Sequence, residues 1–318
     1  MTEAVPGPVP GPVPGPVRRR ELPGTAVDGE TVLGSLSPSR ASDFKTCPLL
    51  YRFRTVDRLP EQPSADAVRG TLVHKVLEDL FDLPAHHRTP ERAAGMVEAA
   101  WAHVLETDPS AAALFAPEGS HAAGSETPGA GDLAEWLEGC RQVLDRYFTL
   151  EDPRLLEPAE RELYVETLLD SGLLLRGFVD RIDVAPDGAV RVVDYKTGRS
   201  PGEAYEAKAL FQMRFYALVI WRARGVLPTM LRLIYLGNAE MVSYRPDERD
   251  LLATERLVTA VWHAIQRAHE SSDWRPRRSR LCDWCRFQAY CPEFGGTPPP
   301  LPEATPVALS GPSPSSAG

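Results

Sequence analysis

The stretch that decides the fold is "GFVDRIDVAPDGAVRVVDYKTG", residues 177–198. Apolar and polar residues alternate on both sides of "APDG", whose Asp-Gly step suits a tight reversal, so the segment predicts a β-hairpin. Side chains two apart on a strand share a face. The pairing therefore brings Asp180 and Asp194 together at one edge of a sheet, with Lys196 on the same face as Asp194. Two carboxylates on neighbouring strands are hard oxygen ligands suited to Mg²⁺ or Mn²⁺. A nearby ammonium can orient an attacking water or offset charge developing on a phosphate. An Asp–Lys pair alone is commonly a solvated salt bridge, so its neighbours must supply the rest.

Working outward, the N-terminal side reads helical. Ser37-Pro38 marks a cap and first turn of a short helix ending at Pro48. Val68, Leu72, Val76 and Leu80 space a helix over 66–81. Thr89-Pro90 opens another, through about Glu106, and 107–131 reads as a surface loop. A strongly amphipathic helix covers 132–148, with Cys140 on its apolar face as a small core residue. "ERELYVET" (160–167) is a strand. Beyond the hairpin come a helix over 203–223, strands "TMLRLIYLG" (229–237) and "MVSYR" (241–245), and a helix over 248–270. The order predicts an α/β domain, a small mixed sheet flanked by helices, with an N-terminal helical segment and a C-terminal cysteine cluster.

Composition bounds the rest. The 318 residues are 43% hydrophobic and 25% charged, as in soluble globular proteins. No apolar run approaches a membrane span and no signal peptide is visible, so no membrane partner is expected and the expected compartment is the cytoplasm. A net charge of −9 gives no global attraction to nucleic acid, leaving that to local patches. "RPRRSR" is such a patch, with Arg275, Arg277, Arg278 and Arg280 as candidate DNA contacts. Pro/Gly-rich ends put disordered tails at 1–35 and 296–318 around one domain, 36–295. No nucleotide-binding G-x₄-G-K-[ST] is present, so any motor must be a separate helicase.

The ordered set "RGTLVHKVLE", "GFVDRID", "VVDYKTG" and "QMRFY" resembles the RecB-family exonucleases of the PD-(D/E)XK nuclease superfamily. The resemblance implies a restriction-endonuclease-like core and metal-dependent hydrolysis of DNA in repair or recombination, leaving 5′-phosphates and 3′-hydroxyls. It makes His74 a metal ligand beside Asp180 and Asp194, assigns Lys196 to the attacking water, and adds Gln212 and Tyr216 from the family's Q-x₃-Y. Asp183, Glu160 and Glu162 stay outside the motif, as outer carboxylates or, more commonly, salt-bridge partners. A CRISPR-associated spacer-acquisition nuclease shares the motifs, and a catalytically silent DNA-binding module is the rival from another class.

Three of five cysteines sit in "LCDWCRFQAYCPEF" (281–294) at C-x₂-C-x₅-C. In a subset of the same family, one cysteine before the core and three after it hold a [4Fe–4S] cluster. That implies Cys47, Cys282, Cys285 and Cys291 as ligands. Zinc, with His263 or His269 completing the set, is the alternative.

Overall fold

The computed structural model describes residues 26–27, 30–115, 133–200 and 203–302. Two strands, β1 (Ala26–Val27) and β2 (Glu30–Thr31), pair with each other, and β3 (Gly34–Leu36) leads into the helices. Helix α1 (Pro38–Thr46) starts as its sequence requires, with Ser37 Oγ accepting from the Arg40 amide at 3.4 Å and proline in the first turn. Cys47 then separates it from the single turn α2 (Pro48–Tyr51). Helix α3 (Ala65–Leu80) follows.

The expected helix from Thr89 is two: α4 (Pro90–Ala94) and α5 (Val97–Thr107), parted at Gly95-Met96. Both bury an apolar face, so the 3.6-residue pattern continues across a break that it does not reveal. The loop expected from 107 begins as a 3₁₀ turn, Pro109–Phe115, whose Phe115 packs on Trp101 and Trp136. The remainder of that loop lies outside the described residues. Helix α6 (Leu133–Leu150) completes this layer with Cys140 fully buried.

The sheet is built from β3, β4 (Glu160–Leu168), β5 (Leu173–Val184), β6 (Val190–Lys196), β7 (Met230–Tyr235) and β8 (Glu240–Tyr244). Between β6 and β7 runs α7 (Glu203–Arg224), and α8 (Glu248–Glu270) follows β8 behind an Asp247/Asp250 capping box. This is the mixed-sheet α/β architecture expected, with β3 as a sixth strand. Helices α1, α7 and α8 share one core with the sheet; α3, α5 and α6 share the other.

Register explains how the sheet opens. Leu174 and Leu175 pair with both β3 and β4, while Arg181 and Ile182 pair with both β4 and β6. A strand has two edges, so β3 and β6 occupy the same edge of β5 at opposite ends. Residues 176–180 face the gap between them. The β5–β6 ladder ends at Arg181↔Val193, and beyond it β6 pairs with β7 alone, through Lys196↔Tyr235. The strands splay at Asp180 and Asp194.

Below the splay lies a buried ionic cluster. Arg181, 1% exposed, meets Glu151 at 2.9 Å, Asp183 at 3.1 Å and the Tyr195 hydroxyl at 2.5 Å. Arg191 reaches Asp183 at 2.7 Å, so Asp183 is a salt-bridge partner.

The folded chain takes in parts of both expected tails. Val32, Gly34 and Ser35 are buried, and the Pro299 carbonyl accepts from Arg52. The three-residue β3 was not anticipated. Among the described residues, no helix is long and apolar enough to cross a membrane.

Candidate active site

Where β6 leaves β5, the Tyr195 amide has no ladder partner on β5 and donates instead to Asp180 Oδ2 at 2.7 Å. The Tyr195 carbonyl accepts from His74 Nε2 of α3 at 3.0 Å. A carbonyl cannot donate, so Nε2 carries a proton and Nδ1 is the ring nitrogen left to bind a cation. Nδ1 lies 3.6 Å from Asp180 Oδ2 and 3.7 Å from Glu162 Oε1. Metal-binding histidines are commonly oriented this way, by a second N–H held on a carbonyl.

Glu162 is the residue that sequence reasoning left outside the site. It lies opposite Asp180, between the pairs Arg161↔Arg181 and Leu163↔Val179, and its φ is +42°. That left-handed conformation costs a non-glycine residue on the order of 1–3 kcal/mol, and such strain concentrates at functional sites. One ligand atom from each of His74, Glu162 and Asp180 fits within a mutual 4.8 Å. The signal for Glu162 was the β4–β5 register, which only the turn at 169–173 sets.

Asp194 and Lys196 form an adjoining group. Lys196 Nζ sits 2.6 Å from Asp194 Oδ2 and donates to Gln212 Oε1 at 3.0 Å. Gln212 Nε2 donates back to Asp194 Oδ1 at 3.1 Å, closing a ring. Tyr216, one turn on along α7, lays its ring over Gly177, where a Cβ would come within 2.7 Å of Tyr216 Cε1. Behind Lys196, the Leu236 amide donates to its carbonyl at 2.8 Å. A Cβ on Gly237 would fall 2.4 Å from the Gly198 backbone, so only glycine fits there. Of the residues assigned from sequence, His74, Lys196, Gln212 and Tyr216 line one cleft of about 1060 Å³, and Asp180 and Asp194 adjoin it through His74 and Lys196.

The charges are poorly balanced without a cation. Burial raises the Asp180 carboxyl, against the pull of His74. Burial likewise pushes Asp194 up to about 6, only partly offset by Lys196. Burial alone would lower His74, but Asp180 and Glu162 outweigh it and hold the imidazole up to about 9. Lys196 is also raised, because Asp194 and Asp180 overcome its desolvation. Buried, crowded carboxylates with raised pKa values favour a nearby positive charge. An oxygen-rich donor set with one imidazole fits a hard divalent ion such as Mg²⁺ or Mn²⁺.

A second site joins the chain's ends. Cys47, Cys282, Cys285 and Cys291 line one cavity of about 50 Å³, whereas His263 and His269 do not. Backbone amides of Arg277 and Ser279 donate to Cys47 Sγ and Cys282 Sγ, each at 3.3 Å. The four arginines of "RPRRSR" are exposed, yet three are engaged. Arg275 pairs with Asp273 at 2.9 Å, Arg277 donates to the Lys45 carbonyl at 2.6 Å, and Arg278 lies over the Phe294 ring.

Residues 35–292 match the sequence model of the PD-(D/E)XK nuclease superfamily. The chain belongs to the PD-(D/E)XK nuclease superfamily. It is similar to Gene 69 protein of Mycobacterium phage D29, 27% identical over 286 residues spanning 81% of this chain and 96% of that protein. Gene 69 protein of Mycobacterium phage L5 is 25% identical over 306 residues, 84% and 99% of the two chains. Among solved structures, a "Putative exonuclease" from Eubacterium rectale superposes with a TM-score of 0.50. At 15% identity, covering 80% of this chain and 87% of the other, it is a likeness of fold. In a PD-(D/E)XK nuclease the splayed strands and their carboxylates are the expected place for phosphodiester hydrolysis.

Proposed function

We propose that this PD-(D/E)XK nuclease is a Mg²⁺- or Mn²⁺-dependent deoxyribonuclease of the RecB-like exonuclease type, acting on DNA in repair or recombination. The observation that carries it is the closed ring of Asp194, Lys196 and Gln212 beside His74, Glu162 and Asp180. Those three residues would hold the cation, with Asp194 adjoining them. A divalent cation bound there polarises the phosphodiester and offsets its developing charge. Lys196, fixed from two sides, orients the attacking water and faces the charge that builds on phosphorus. Gln212 keeps that ammonium in place. Digestion of end-labelled single- and double-stranded DNA with Mn²⁺, against an EDTA control, tests the reading: metal-dependent cleavage is expected. An inert protein that still binds DNA would favour the silent binding module.

We further infer that the four cysteines carry a [4Fe–4S] cluster. Their sulfurs converge on one cavity, and two accept backbone N–H bonds of the kind that tune cluster thiolates.

A further inference from the structure

The sheet face that carries the metal-ligand group continues outward as an aromatic floor. On β4 and β5, the pair beyond Glu162 and Asp180 is Tyr164↔Phe178; strand alternation keeps Phe178 on the face of Asp180, and ring contact sets Tyr164 beside it. The two rings lie 5.2 Å apart, tilted by 59°, and both line the cleft while remaining only half-buried. Two residues along a strand cover ~6.7 Å, so the floor begins about one nucleotide from the carboxylates. Tyr164 is fixed there by donating its hydroxyl to Glu166 Oε2 at 2.8 Å. The same cleft is also lined by Arg40, Ser39 and Arg199, cationic and polar groups suited to a phosphate backbone.

Cross-strand aromatic pairs usually stabilise a sheet by closing over each other and their neighbours. This pair leaves ring surface open inside a charged cleft, beside the carboxylates. The chemistry that matches a flat apolar floor, a cationic wall and a cation site at fixed spacing is a nucleotide: base, backbone and phosphodiester. Inside a duplex each base face is covered by the pairs above and below. A base next to an interior phosphodiester must therefore be unpaired, in a single strand or at a frayed end, to lay a face on Phe178. Every base has such a face, so the contact is tolerant of sequence.

We propose that Phe178, with Tyr164 beside it, is a stacking floor for the base next to the scissile phosphodiester, so that the cleft takes unpaired DNA. This rests on the nuclease reading, because it places the floor relative to the bond cut. The test uses the full-length protein in Ca²⁺, which fills the cation site without turnover, and a single-stranded oligonucleotide carrying 2-aminopurine near its end. Wild type should bind it and quench the probe. Phe178→Leu should bind about five- to a hundred-fold more weakly, the range for losing one stacked base, and lose the quench, with an unchanged melting temperature. Phe178→Trp, which restores a larger ring, should keep both signals. A blunt duplex should bind more weakly and respond little to Phe178→Leu.

Equal binding and quenching by Phe178→Leu would overturn the floor, as would a wild type that binds single strands without quenching. If Phe178→Leu fails to fold, loss of the quench in Phe178→Trp overturns the floor on its own. The nuclease reading is judged separately, by Mn²⁺ digestion of the same oligonucleotide. Cleavage by wild type with an indifferent Phe178→Leu sinks the floor and keeps the nuclease. Stacking without cleavage does the reverse.

Discussion

Lys196 is half-exposed but held by two partners, and neither partner belongs to the hydrophobic core. Removing its ammonium should therefore cost chemistry and little stability. Lys196→Ala is expected to lower the rate of Mn²⁺-dependent cleavage by at least about a hundred-fold, as for loss of one positioned electrostatic group. Its melting temperature and DNA affinity should stay near those of wild type; robust cleavage would strip Lys196 of its role. Glu162 makes a contrasting case. If it is a ligand, Glu162→Gln should weaken Mn²⁺ binding measured by calorimetry and leave the fold intact, because a neutral amide cannot match the charge. Unchanged metal affinity would return the third position to Asp194. Asp194 and Lys196 were legible in sequence because strand alternation alone puts them on one face. Glu162 was not, since its place depends on which residue of β5 it opposes and on a strained backbone that no composition signals.

At the scale of elements, the hairpin β5–β6 carries Asp180, Asp194 and Lys196, and its own stability rests on the ionic cluster behind it. Arg181 is encircled by Glu151, Asp183 and Tyr195 and is almost fully buried. Burial would lower its guanidinium, but Tyr195 and the two carboxylates prevail and keep it charged. Truncation would strand two carboxylates away from water. Arg181→Ala is thus expected to destabilise the protein by about 3–5 kcal/mol, read from urea unfolding. A loss below about 1 kcal/mol would mean that water or Arg191 and Arg232 replace it readily. The hairpin was readable because its turn and both flanks are local. Strand β3 escaped notice for the opposite reason: "GSL" has no period to detect, and its parallel partner, residues 173–175, is distant in the chain. The break between α4 and α5 was missed because both halves bury the same kind of face.

For the whole molecule, the question is what fastens the C-terminal segment to the N-terminal helices. Part of the answer is apolar: Trp274 stacks on Tyr51 at 5.9 Å, and Phe287 meets Phe53 at 5.4 Å. Both Trp274 and Phe287 are buried, so these rings fasten the segment by apolar burial and not by coordination. The other part is the cysteine site, whose sequence-distant member, Cys47, is pinned between α1 and α2. Cysteine spacing made the three C-terminal members legible, but Cys47 entered through the family resemblance, because no spacing rule reaches across a whole domain. If the four hold a cubane, Cys47→Ser should lose most of about four irons per chain and the brown colour of protein purified without oxygen. The aromatic contacts should then keep the core folded, so the first sign of damage is protease cutting near 275–291 and only secondarily a lower melting temperature. Cys140, whose thiol is pushed up to about 11 by burial in the core, cannot serve as a substitute. Cys140→Ser is expected to retain iron and colour at a modest packing cost. Iron content that survives Cys47→Ser and vanishes with Cys140→Ser would overturn this assignment, and zinc in place of iron in the wild type would replace the cluster itself.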